Sequence, residues 1–168
     1  GEAVRALASE KVLGFDTETR PAFKKGESYP PSLLQLAASD AVYIFQLQHI
    51  GSYEPLAGIL ADKHVLKAGI AVHDDIKKLK DLFSHGAAGF VELASMAAQA
   101  GIKNAGVRGL AALLFGFRIS KSTKLSPWHA PVLTRDQILY AATDAWVCRE
   151  IYFALMGNFG NTIHHIKR

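Results

Sequence analysis

A single cysteine, Cys148, stands in the 168-residue chain, so no internal disulfide can form. With no paired cysteines there is no zinc knuckle either, and a reducing intracellular compartment, cytoplasm, nucleoid or nucleus, is the expectation. Long apolar runs are also missing. The nearest to the ~18 residues that a membrane span needs, Ala87 to Ile102, is broken by Glu92 and Gln99. No repeat, low-complexity tract or Pro/Gly/Ser linker divides the sequence, and a monomeric single domain over residues 1–168, with a core at about 11–156, is expected. What remains, 49% apolar and 20% charged residues, is the composition of a globular protein and excludes disorder, collagen and coiled coil. A domain of this size buries roughly 70% of its unfolded surface, so a metal is not required merely to hold it together.

Acidic residues are scarce in one long region. Between Leu93 and Arg135 there is no Asp or Glu, while Lys103, Arg108, Arg118, Lys121, Lys124 and Arg135 are all basic. Uncompensated positive charge of that length suits a polyanion such as nucleic acid, although a solvated basic face is the plainer reading of charge alone.

Periodicity places the elements. Lys11–Thr17 reads as a buried strand, Arg20–Pro31 as a loop, and Leu33–Ala38 with Ala41–Leu47 as two strands across a Ser39-Asp40 turn, giving a three-strand meander. Helix is expected over Tyr53–Asp62 and strand over Val65–Val72. A helix opening at Asp74 or Asp75 then carries Ile76, Leu79, Leu82 and Phe83, followed by a short strand at Phe90–Leu93 and a helix around Leu110–Phe115 closed by Gly116. Thr134 with Gln137 forms a capping box for a last helix running to about Met156, kept slim by Ala141, Ala142 and Ala145. Strands alternating with helices after a meander predict an α/β layer fold with a mixed sheet.

Three pieces of that frame carry chemistry. Asp16 and Glu18 end an apolar strand, and period two puts both on one face about 6.6 Å apart, a repulsive arrangement that a divalent cation relieves. Of Asp74 and Asp75, Asp75 stacks over Leu79 on the inward side and is the candidate ligand; Asp74 reads as a helix cap. Tyr140 and Asp144 lie at i and i+4, so a phenol and a carboxylate share one helix face. Each piece alone is also explained by a capped helix end, a solvated acid or a packed tyrosine.

Their order along the chain resembles the DEDDy branch of the 3′ to 5′ exonucleases, the group of ribonuclease D and the Werner-type exonuclease domain. The matching segments are Phe15-Asp16-Thr17-Glu18-Thr19, Lys67-Ala68-Gly69 through Asp75 and Leu79, and Leu133-Thr134 through Gln137 to Tyr140-Ala141-Ala142-Thr143-Asp144-Ala145. Ser32-Leu33-Leu34-Gln35-Leu36-Ala37 and Ser126-Pro127-Trp128 are similar as well. The chain departs from the pattern at Asp74, where many relatives have a neutral residue, and at Glu92, where an Asp is usual.

The resemblance implies a ribonuclease-H-like mixed β-sheet flanked by helices, and two divalent ions, Mg²⁺ or Mn²⁺, held by Asp16, Glu18, Asp75 and Asp144. In it Asp16 bridges both ions, Glu18 and Asp144 hold the one beside the attacking water, Asp75 supports the other, and Tyr140 orients the water. Four carboxylates against two dications is a neutral, oxygen-rich site of the kind hard metals prefer. The implied partner is the 3′ end of DNA or RNA. Arg108, Lys121 and Lys124 are the candidate phosphate contacts, and Trp128, with Phe23 and Tyr29, the candidate stacking surface. The alternative to turnover is a nucleic-acid-binding module that keeps the fold without catalysis.

Overall fold

A computed structural model describes the chain over residues 1–82, 86–103 and 106–165, with side chains to Gly157. Its centre is a five-stranded sheet in the order β3-β2-β1-β4-β5. The strands are β1 (Val12–Glu18), β2 (Leu33–Ala37), β3 (Val42–Gln46), β4 (Leu66–Gly69) and β5 (Phe90–Glu92). β1, β2 and β3 pair antiparallel, as the expected meander requires, whereas β4 joins β1 in parallel and β5 joins β4 in parallel. Parallel pairing needs a crossover, and α2 (Glu54–Ala61) and α3 (Val72–Leu79) provide it.

Alternation along β1 divides the molecule into two layers. Leu13 and Phe15 face a core that includes Leu34, Leu36, Leu56 and Leu79, beneath α2 and α3. Val12 faces the opposite layer with Ala68 of β4 and with Leu93, Leu110 and Ile151 from α4 (Leu93–Gln99), α5 (Val107–Phe115) and α6 (Arg135–His165). α6 lies across β1, β2, β3 and β4. A Cβ on Gly14 would meet the Ala145 carbonyl oxygen at 1.9 Å, so helix and strand approach to a distance only glycine permits. Ala141 and Ala145 are fully buried at that crossing; Ala142 is half-buried and turned aside, contrary to the expectation for it.

Two further expectations are corrected. The chain enters α3 at Val72 rather than at Asp74, through Ala71 in the left-handed region at φ 56°, so Val72 belongs to helix and not to strand. Asp74 therefore caps nothing. Glu92 does that work, its carboxylate accepting from the amides of Ala71 at 3.1 Å and Val72 at 2.9 Å, and from Ala94 at 3.2 Å at the start of α4. An N-terminal helix, α1 (Glu2–Ala8), has no counterpart in the periodicity analysis and adds the fully buried Leu7 to the core. The capping box is formed, with Gln137 Oε1 accepting from the Thr134 amide and Thr134 Oγ1 from the Gln137 amide. Phe83 lies outside the described residues.

Candidate active site

β1 delivers Asp16 and Glu18 to the α6 side of the sheet because they share parity with Gly14, the residue in contact with α6. Asp144 comes down from α6 one turn after Tyr140. One ligand oxygen from each of Asp16, Glu18 and Asp144 lies within 4.8 Å of the others. Asp75 arrives from the other layer: Thr17, of opposite parity, donates from its hydroxyl to Asp75 Oδ1 at 2.7 Å. Asp75 thus stands beside the strand end, apart from the group of three, half-buried while Asp74 is exposed. That difference agrees with the face argument.

The electrostatics are those of crowded acids that their basic neighbours offset only in part. Burial, then Glu18, Asp144 and Asp75, hold the Asp16 carboxyl well above the usual range. Burial and the charge of Asp144 push Glu18 up to about 8 despite Arg108 nearby. Burial raises Asp144 to about 6 against the opposing pull of Arg108, and raises Asp75 against its bond from Thr17. Asp144 Oδ1 is buried with no hydrogen-bond partner. An orphaned carboxylate oxygen beside two more acids is a donor set that fits a hard divalent cation. The Tyr140 phenol is pushed up to about 12, first by burial and then by Asp144.

Asp16, Glu18 and Asp144 line a cavity of about 330 Å³ with Tyr140, Arg108, Lys124 and Cys148. Cys148 is a free, buried thiol. Arg108 donates to the Tyr140 hydroxyl at 2.5 Å and approaches Asp144 at 4.0 Å. Lys124 acts electrostatically on Glu18 and Asp144, whereas Lys121, exposed in the same loop, has no described side-chain contact with the site. Trp128 is a correction: it is fully buried, its indole N–H donating to the Lys124 carbonyl at 3.3 Å and its ring packing on Tyr140 at 5.7 Å. Its ring face meets protein, so it stacks on no base; it seats the tyrosine and anchors the loop that carries Lys124. Of the other aromatics, Phe23 is 82% exposed and Tyr29 lies under the Arg20 guanidinium at 3.5 Å.

One neighbour was not singled out from the sequence. Gln35 is register partner to Asp16, fully buried, and both side-chain amide atoms lack a partner. A glutamine alone among the apolar positions of a strand buried at every residue was the available signal.

A mixed five-stranded sheet with helices on both faces and clustered carboxylates at the end of its central strand defines a ribonuclease-H-like nuclease fold. The sequence profile of the 3′-5′ exonuclease family matches residues 1–158, and the chain belongs to that family. It is 34% identical over 163 residues to the bifunctional 3′-5′ exonuclease/ATP-dependent helicase WRN of Mus musculus, covering 93% of this chain and 12% of that protein. To ribonuclease D of Gluconacetobacter diazotrophicus it is 32% identical over 157 residues, 91% of this chain and 39% of the relative. The crystal structure of Escherichia coli RNase D, an exoribonuclease involved in structured RNA processing, superposes with a TM-score of 0.82 at 25% identity, over 94% of this chain and 42% of that one. The chain therefore spans well under half the length of these relatives.

Proposed function

We propose that this chain is a divalent-metal-dependent 3′ to 5′ exonuclease that shortens DNA or RNA strands by hydrolysing the terminal phosphodiester and releasing 5′ mononucleotides. The observation that carries this reading is the meeting of Asp16, Glu18 and Asp144 within 4.8 Å, in a cavity they share with Tyr140 and two basic side chains. Asp16, Glu18 and Asp144 would hold one Mg²⁺ or Mn²⁺ ion, with Asp16 and Asp75 supporting a second. When bound, such ions acidify water at neutral pH and stabilise negative charge on the leaving 3′ oxygen.

The remaining work falls to the protein. Tyr140 would orient the attacking water through its hydroxyl, which Arg108 holds by a hydrogen bond. Lys124 and Arg108 stand where the scissile phosphate would enter, Lys124 as a mobile point charge. Lys121 and Phe23, both exposed, would make weaker contacts with the approaching strand. The relatives' names include both a helicase-linked exonuclease and a ribonuclease, which supports nucleic acid as the substrate class.

Matched 5′-labelled DNA and RNA oligonucleotides, incubated with Mg²⁺, Mn²⁺ or a chelator, test the reading. A ladder growing from the 3′ end, abolished by the chelator, is expected. Internal cleavage, chelator-resistant cleavage, or binding without product contradicts it.

A further inference from the structure

We propose that Arg108 is a positioning residue with a second duty: it fixes the Tyr140 hydroxyl, and it serves Asp144 as a stand-in cation that the incoming divalent ion must displace. The inference rests on the exonuclease reading of the same site.

The contacts around Arg108 are incomplete in an informative way. Its terminal nitrogen donates to the Tyr140 hydroxyl at 2.5 Å and to the Ser120 carbonyl at 3.3 Å, and lies 4.0 Å from Asp144 Oδ2. A settled guanidinium–carboxylate pair makes two parallel bonds at about 2.7–2.9 Å. Here Arg108 Nε and Asp144 Oδ1 are both buried and both unpartnered. The charges are close enough to compensate one another, yet two groups capable of pairing are left unsatisfied, which costs free energy that a better partner for Asp144 would recover.

The bond to Tyr140 has a direction. Because the phenolic oxygen accepts from Arg108, its own proton is turned away from the guanidinium. Loss of Arg108 frees the hydroxyl to rotate, while Trp128 still holds the ring. Arg108 sits in the first turn of α5, and the guanidinium also bonds the loop after that helix. It is therefore anchored on the Tyr140 side and free on the Asp144 side.

Binding of Mn²⁺ alone, measured by calorimetry on wild type, Arg108→Ala and Arg108→Lys without nucleic acid, tests the stand-in role toward Asp144. Arg108→Ala should bind Mn²⁺ roughly 3- to 10-fold more tightly, with Arg108→Lys near wild type. At saturating Mn²⁺ the same Arg108→Ala protein should lose about 10-fold or more in kcat with KM for the oligonucleotide changed under about 3-fold, and adding Tyr140→Phe should cost little further. Unchanged or weaker Mn²⁺ binding in Arg108→Ala, or a loss confined to KM, overturns the proposal and leaves Arg108 a phosphate contact. Absence of Mn²⁺ binding to the wild type overturns the metal site itself. Should Arg108→Ala fail to fold, Arg108→Gln carries the same comparisons.

Discussion

At the residue scale, the acids were legible and their surroundings were not. Asp16 and Glu18 could be placed on one face because a strand alternates without exception, and Tyr140 with Asp144 because helical spacing is equally regular. Trp128 could not, since whether an aromatic in a Pro-containing loop turns in or out depends on what the fold puts above it. Crowding of the acids sets a testable pH dependence. Glu18 is raised from 4.5 to about 8 in the folded chain, so below about pH 4.5 it opposes folding little, and as pH rises through this window the folded state loses stability relative to the unfolded. Glu18→Gln should therefore raise the melting temperature of the metal-free protein at about pH 9 by ~3 °C or more and leave it nearly unchanged at about pH 4.5. Thermal melts at the two pH values, with and without Mg²⁺, read this directly; equal shifts at both would remove the electrostatic account. Tyr140→Phe should lower turnover by about 10- to 10³-fold under saturating substrate, since the ring keeps its packing and only the hydroxyl goes.

Elements show how the fold supplies what single residues cannot. The meander, the capping box and the last helix follow from pattern, but α1 is too short and too mixed to announce itself, and α3 begins two or three residues before the opening expected at Asp74 or Asp75. Local rules favour an Asp at a helix start; here a carboxylate from β5, distant in sequence, reaches those amides first. A contrast follows from this. Glu92→Ala should cost about 1–2 kcal/mol in urea unfolding, as the first turns of α3 and α4 lose their acceptor, whereas Asp74→Ala should stay within about 0.5 kcal/mol. Equal effects would return the cap to Asp74. The crossing of α6 over β1 is set as much by the absent Cβ of Gly14 as by Ala141 and Ala145. Gly14→Ala drives a methyl into backbone, which cannot give as a flexible side chain does, and a loss of about 2 kcal/mol or more is expected in the same assay.

Over the whole molecule, two layers of helices clamp a sheet whose central strand ends in carboxylates, so the acids converge where the α6 layer and the α3 layer meet the same strand end. Removing those four from the charge count leaves 19 basic against 11 acidic residues, and the modest net charge of +4 conceals a basic exterior. Binding to a single strand should accordingly weaken with salt, and Lys124→Ala should reduce the slope of log affinity against log salt by about 1 without altering sequence preference. Salt titrations with a turnover-deficient variant measure that slope.

Asp16 is the side chain on which both halves of the site converge, and its replacement tests the account most directly. With Mg²⁺ and a 5′-labelled strand, wild type should shorten the strand from its 3′ end while Asp16→Ala, melting at or above the wild-type temperature, leaves it intact. Hydrolysis by the folded Asp16→Ala protein at a rate near that of wild type would contradict a carboxylate-held ion at the end of β1.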